Sequence, residues 1–164
     1  MATKRPVIEK YLSLLKSGAS QNDVSQQLIQ NELQINQAFQ DYLMFLKSGL
    51  FSTSQKIILF QIESDGDVLC DHLNNLITVS YSLETEIMYC SMFLTLYEAM
   101  HIMPKTRESS DLDRKKWIDI KTLEQRATLN YLKAMSDIVN KKIVVAQSFL
   151  KHETTKLLKR DNGQ

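Results

Sequence analysis

Between Pro104 and Gly163 the chain runs without a glycine or a proline. Most turns are built from those two residues, because Gly reaches positive φ and Pro presets the first turn position. A stretch that long without either is committed to regular structure, and its apolar spacing says which kind. Trp117, Ile120, Leu123, Ala127, Tyr131, Ala134, Ile138, Val145 and Phe149 recur at steps of three, four and seven, the period of one helix face. Leu129, Leu132, Val139, Ile143 and Leu150 form a second row that widens the face. The spacing predicts one helix from about Asp111 to about Lys159, on the order of 70 Å long at the usual rise per residue. A domain of this size does not need such a helix. Either it kinks near Asn140-Lys141-Lys142, or its end projects toward a partner.

The rest of the chain repeats the argument, since 164 residues hold only 4 Gly and 2 Pro. Few turns mean long helices, and the predicted fold is all-α: an antiparallel bundle of four to five helices in a single domain, residues 1–164. A short basic tail, residues 1–5, precedes Pro6, which suits the first turn of a helix. Val7, Ile8, Tyr11, Leu12, Leu14 and Leu15 carry that helix to a C-terminal cap at Gly18. A second helix is expected from about Ser20, through Val24, Leu28, Ile35, Phe39, Tyr42 and Leu46, to an end at Lys47-Ser48-Gly49. Tyr11-Leu12-x-x-Leu15-Lys16-Ser17-Gly18 and Tyr42-Leu43-x-x-Leu46-Lys47-Ser48-Gly49 share one pattern, read as the same capping chemistry used twice. Residues 55–64 have mixed helix and strand propensity. A lone strand would leave its backbone groups unsatisfied, so helix is expected there. A break is expected at Asp65-Gly66-Asp67. From Asp67 to about Met103 the pattern is helical, with an interruption conceivable at Tyr81-Ser82. Its second half, with Leu83, Ile87, Met88, Met92, Phe93, Leu94, Leu96, Tyr97 and Met100, is apolar on nearly every side and is the expected core element. Pro104 ends it, and residues 104–110 are the clearest loop.

Net charge is +1, but the mean conceals a polarity. Residues 1–100 carry six Lys/Arg against eleven Asp/Glu, and residues 101–164 carry fourteen against eight. Such a chain docks on itself, on a second copy, or on an acidic partner. No run of about 18 apolar residues is present, so no membrane span is expected. No signal-peptide pattern follows the basic N-terminus. A cytoplasmic location is expected, with secretion independent of a signal peptide as the other option. Cys70 and Cys90 lack CxxC spacing and read as reduced thiols.

Motifs for chemistry are thin. Glu98-Ala99-Met100-His101 has the Glu-x-x-His spacing of di-iron bundles, but neither His72 nor His152 supplies the second motif such a site needs. Glu63, Asp65, Asp67, Asp71 and His72 surround Gly66, yet Gly66 falls fourth rather than sixth from Glu63, so the calcium-loop pattern fails. Four glycines leave no phosphate-cradling loop, and no nucleophile motif is present. Residues 15–28 could pass for a helix-turn-helix, but no Lys or Arg lies between Lys16 and Lys47. We therefore expect no catalytic residue, no cofactor, no metal and no small-molecule substrate. The expected function is non-enzymatic: an interaction module such as an adaptor, a chaperone-like factor or a secreted regulator, packing helices with another protein or a second copy. Met88, Met92, Met100 and Met103 would add an adaptable apolar surface. The expected partner-binding residues are Trp117, Ile120, Tyr131, Ile138, Val145, Phe149, Lys141 and Lys142. The alternative is nucleic-acid binding by the basic C-terminal helix, whose bases come with few stacking aromatics.

Overall fold

A computed structural model describes residues 5–59, 66–102 and 110–161 of the chain. All regular structure among them is helical. In order, these are α1 (Arg5–Lys16), α2 (Gln21–Gln30), α3 (Glu32–Leu46), a π-helical turn (Lys47–Phe51), α4 (Ser52–Leu59), α5 (Gly66–Met100), α6 (Asp111–Lys121) and α7 (Leu123–Asp161). The predicted all-α bundle with a long C-terminal helix is what the chain forms.

Several boundaries differ from the sequence reading, each for a local reason. The helix expected from about Ser20 to Gly49 is divided at Asn31, whose φ of −109° and ψ of 14° leave the helical region. The Asn31 side-chain amide donates to the Gln27 carbonyl at 2.8 Å, capping α2 while α3 starts at the next residue. Gly49 does not end α3. Among the described glycines only Gly18 has positive φ, at 71°, while residues 47–51 continue as a π-helical turn into α4. The helix expected from Asp111 to Lys159 is divided at Thr122, with φ −110° and ψ 13°. Its C-terminal part, α7, runs helically through Asn140-Lys141-Lys142. α5 likewise runs unbroken through Tyr81-Ser82 from a start at Gly66. Residues 55–59 are helical, whereas residues 60–65, Met103 and Pro104 lie outside the described part of the chain.

The chain divides into two compact units, Met1–Phe45 with Ile87–Tyr131, and Leu46–Glu86 with Leu132–Gln164. The first is organised by an aromatic cluster. Phe39 meets Phe93 edge-on at 5.0 Å between centroids, Tyr42 stacks on Phe93 at 5.4 Å, and Phe39 meets Tyr97 at 5.8 Å. Rising numbers on α3 pair with falling numbers on α5, so the two helices run antiparallel. Ile8, Tyr11, Leu28, Ile35, Leu96 and Met100 complete this core. α5 is not covered on every side, as a fully central helix would be, since Met88 on its outer face is 58% exposed.

The second unit buries Leu46, Leu69, Leu76, Val79 and Leu83 with Leu132, Met135, Val139 and Ala146. These α5 and α7 residues recur at steps of three, four and seven, the spacing of one helix face against another. Ser80 Oγ donates to Asn140 Oδ1 at 2.8 Å across that packing. Burial lowers the pKa of His72, and the Lys142 ammonium lowers it further, so both favour the neutral imidazole.

Candidate interaction surfaces

In the first unit, Ser110 begins α6 with a reciprocal capping box. Its Oγ accepts the Asp113 N–H at 3.1 Å, and its own N–H donates to the Asp113 carboxylate at 3.4 Å. α6 ends at Thr122, and a side-chain network holds the break. Thr122 Oγ1 donates to the Ile118 carbonyl at 2.7 Å and accepts from Arg126 Nε at 2.9 Å. The same guanidinium reaches Glu98 at 2.8 Å and Asp119 at 3.2 Å. Arg126 therefore ties α5, α6 and α7 together at one residue. Glu98, read as half of a metal motif, is engaged in this ion pair. His101 lies 6.3 Å from the Tyr97 ring, and burial lowers its pKa.

Beside the Thr122 break, still in the first unit, lies an open cleft of about 680 Å³, lined among others by Glu32, Gln40, Tyr97, Lys121, Glu124 and Gln125. Burial raises the Tyr97 pKa, and its hydroxyl donates to Asn36 Oδ1. Gln125 is buried, and its Oε1 has no hydrogen-bond partner. Gln40 Nε2 donates to Glu124 at 3.2 Å. Burial thus favours the protonated phenol of Tyr97 and the neutral imidazole of His101. No group of three or more metal-binding side chains occurs among the described residues. Cys70 and Cys90 are not joined in a disulfide.

The predicted partner-binding residues divide between the units. Trp117, Ile120 and Tyr131 belong to the first. Lys121 Nζ lies 4.7 Å from the centroid of the exposed Trp117 ring, a cation–π contact that occupies one of its faces. Ile138, Lys141, Lys142, Val145 and Phe149 belong to the second, on α7. Ile138, Val145 and Phe149 are exposed and follow one another at steps of seven and four, which places them on one side of the helix. Lys141 is exposed beside that row, and Lys142 is half-buried near His72. Of the two apolar rows read from the sequence, the one with Leu129, Leu132 and Val139 is therefore buried, and the one with Ile138, Val145 and Phe149 faces outward.

Beyond Ala146, no described residue of α7 is buried. Leu157 continues the spacing of the inward row Leu132, Val139, Ala146 and Leu150, yet it is 59% exposed. The core-facing stripe runs past the end of its own core. Sequence reading left Leu157, Leu158, Val144 and Tyr81 out of the candidate set, although all four are exposed apolar residues. The spacing of Leu150 and Leu157 could have revealed the first; the others carry no local signal.

The chain matches no protein-family model, no curated protein and no solved structure. No helix among the described residues is long and apolar enough to cross a membrane.

Proposed function

We propose that the protein is a non-catalytic interaction module that binds an acidic amphipathic helix along α7. One observation carries the reading. The part of α7 in the second unit presents Ile138, Val145 and Phe149 to the outside and carries its inward stripe past the last buried residue, Ala146. A solvated helix end of about four turns is marginal in water unless an apolar face is covered. Scattered exposed apolar residues are ordinary, but a row at helical spacing is the footprint of a helix-in-groove or helix-on-helix contact. Charge selects the partner. Residues 132–161 hold seven Lys/Arg against three Asp/Glu, so an acidic helix gains and a basic one is repelled.

The test uses three fluorescent probes on the full chain: a helical peptide with a Leu face and Glu elsewhere, its Leu/Lys counterpart, and a single-stranded oligonucleotide. The reading expects the Leu/Glu peptide to bind best and Phe149→Asp with Ile138→Asp to abolish that binding while the helical circular dichroism is unchanged. Oligonucleotide binding that falls steeply with salt and survives both substitutions would instead favour the nucleic-acid reading of the same bases.

A further inference from the structure

We infer that the acidic helix received by α7 is supplied by a second copy of this chain, through the outer face of its α5. The inference rests on the interaction reading above and names the partner for that same row. Both faces belong to the second unit. α5 contains no Lys or Arg along its 35 residues. On the side away from Leu76, Val79 and Leu83 it exposes Cys70 and Tyr81, the latter 68% exposed, with Ile77 half-buried between them. Steps of seven and four align these three, and the exposed Asp67, Asp71 and Glu84 lie within a turn of the row. The α7 row offers the complement: Ile138, Val145 and Phe149, with Lys141 alongside and Lys156, whose exposed ammonium also pairs with Glu153 at 2.9 Å on its own helix.

One chain thus displays two outward-facing apolar rows flanked by opposite charge. Pairing α7 with the α7 of another copy would set bases against bases, which is costly at the flanks of a helix pair. Pairing α7 with α5 sets Lys141 and Lys156 against Asp71 and Glu84 while the apolar rows meet. Within one chain α5 buries Leu76, Val79 and Leu83 and α7 buries Leu132, Val139 and Ala146, on other sides of both helices, so both outer rows remain available. A reciprocal exchange closes a dimer, and a one-way exchange grows a longer assembly. Either raises the mass above that of one chain.

Light scattering on the full chain across concentration, at low and high salt, reads this directly. Wild type is expected to assemble, with assembly weakened by salt. Lys141→Glu/Lys156→Glu and Asp71→Lys/Glu84→Lys are each expected to weaken assembly by roughly tenfold or more. Mixing the two variants in equal amounts is expected to restore it, because each then meets its complement. All four positions are exposed, and circular dichroism verifies that the variants remain folded. A wild type that stays monomeric at every concentration overturns the inference, as does a mixture that stays dissociated. If that monomer still binds the Leu/Glu peptide through Phe149, the interaction reading stands and only the second-copy assignment falls. If it binds neither, both fall.

Discussion

The chain spells Tyr-Leu-x-x-Leu-Lys-Ser-Gly twice, at Tyr11–Gly18 and at Tyr42–Gly49, and folds the two copies differently. In the first, α1 ends at Lys16 and Gly18 turns to a φ of 71°. Ser20 then caps α2, its Oγ accepting the Asp23 N–H at 3.2 Å. In the second, Gly49 keeps a negative φ and the chain passes through a π-helical turn into α4. The residues that follow account for the difference. After Gly18 come Ala19 and Ser20, exposed and ready to cap; after Gly49 come Leu50 and Phe51, both half-buried. Burial of the preceding leucine differs too, since Leu46 is fully buried and Leu15 is not. A capping pattern proposes a helix end, and the apolar demand of the next turn decides whether the chain accepts it.

The largest test of that contrast is at the paired leucines. Leu46→Ala should cost about 2–5 kcal/mol in urea unfolding, and Leu15→Ala about 1 kcal/mol, because only the first empties a fully buried site. Equal losses would erase the contrast. Next come the glycines. Gly18→Ala should destabilise by about 1–2 kcal/mol, since an L side chain resists the left-handed region. Gly49→Ala should go the other way, stabilising by about 0.5–1 kcal/mol: its φ is negative and an added Cβ would meet nothing within 4 Å. A loss at Gly49 comparable to that at Gly18 would mean both glycines serve as caps. The smallest effect belongs to the paired tyrosines. The Tyr11 hydroxyl donates to Gln34 Oε1 at 2.9 Å, and Tyr11→Phe should cost about 0.5 kcal/mol, at the low end because Gln34 is exposed and water replaces the donor.

Elements bounded by local chemistry were legible in advance. α1 with its glycine cap is one, and the start of the long C-terminal helical run at about Asp111 is another. The breaks at Asn31 and Thr122 were not, because neither carries a Gly or Pro. Thr122 interrupts the helix where Arg126, anchored on Glu98 of α5, can hold the break; that partner is 28 residues away in sequence. The interaction surface was half legible. Periodicity revealed both apolar rows on α7, and either could have faced the core.

Sequence alone therefore determined that the chain is helical and that its C-terminal helix is long, basic and apolar along two rows. Those follow from turn residues, charge and a period of 3.6, all local properties. Tertiary structure decided which row is covered, where the long helices break and where the core stops along α7. Each depends on which distant residues come to lie opposite, as Leu83 lies in one core with Val139 while Phe149 is left outside. Apolar spacing states that a face must be buried, and only the packed neighbours determine by what.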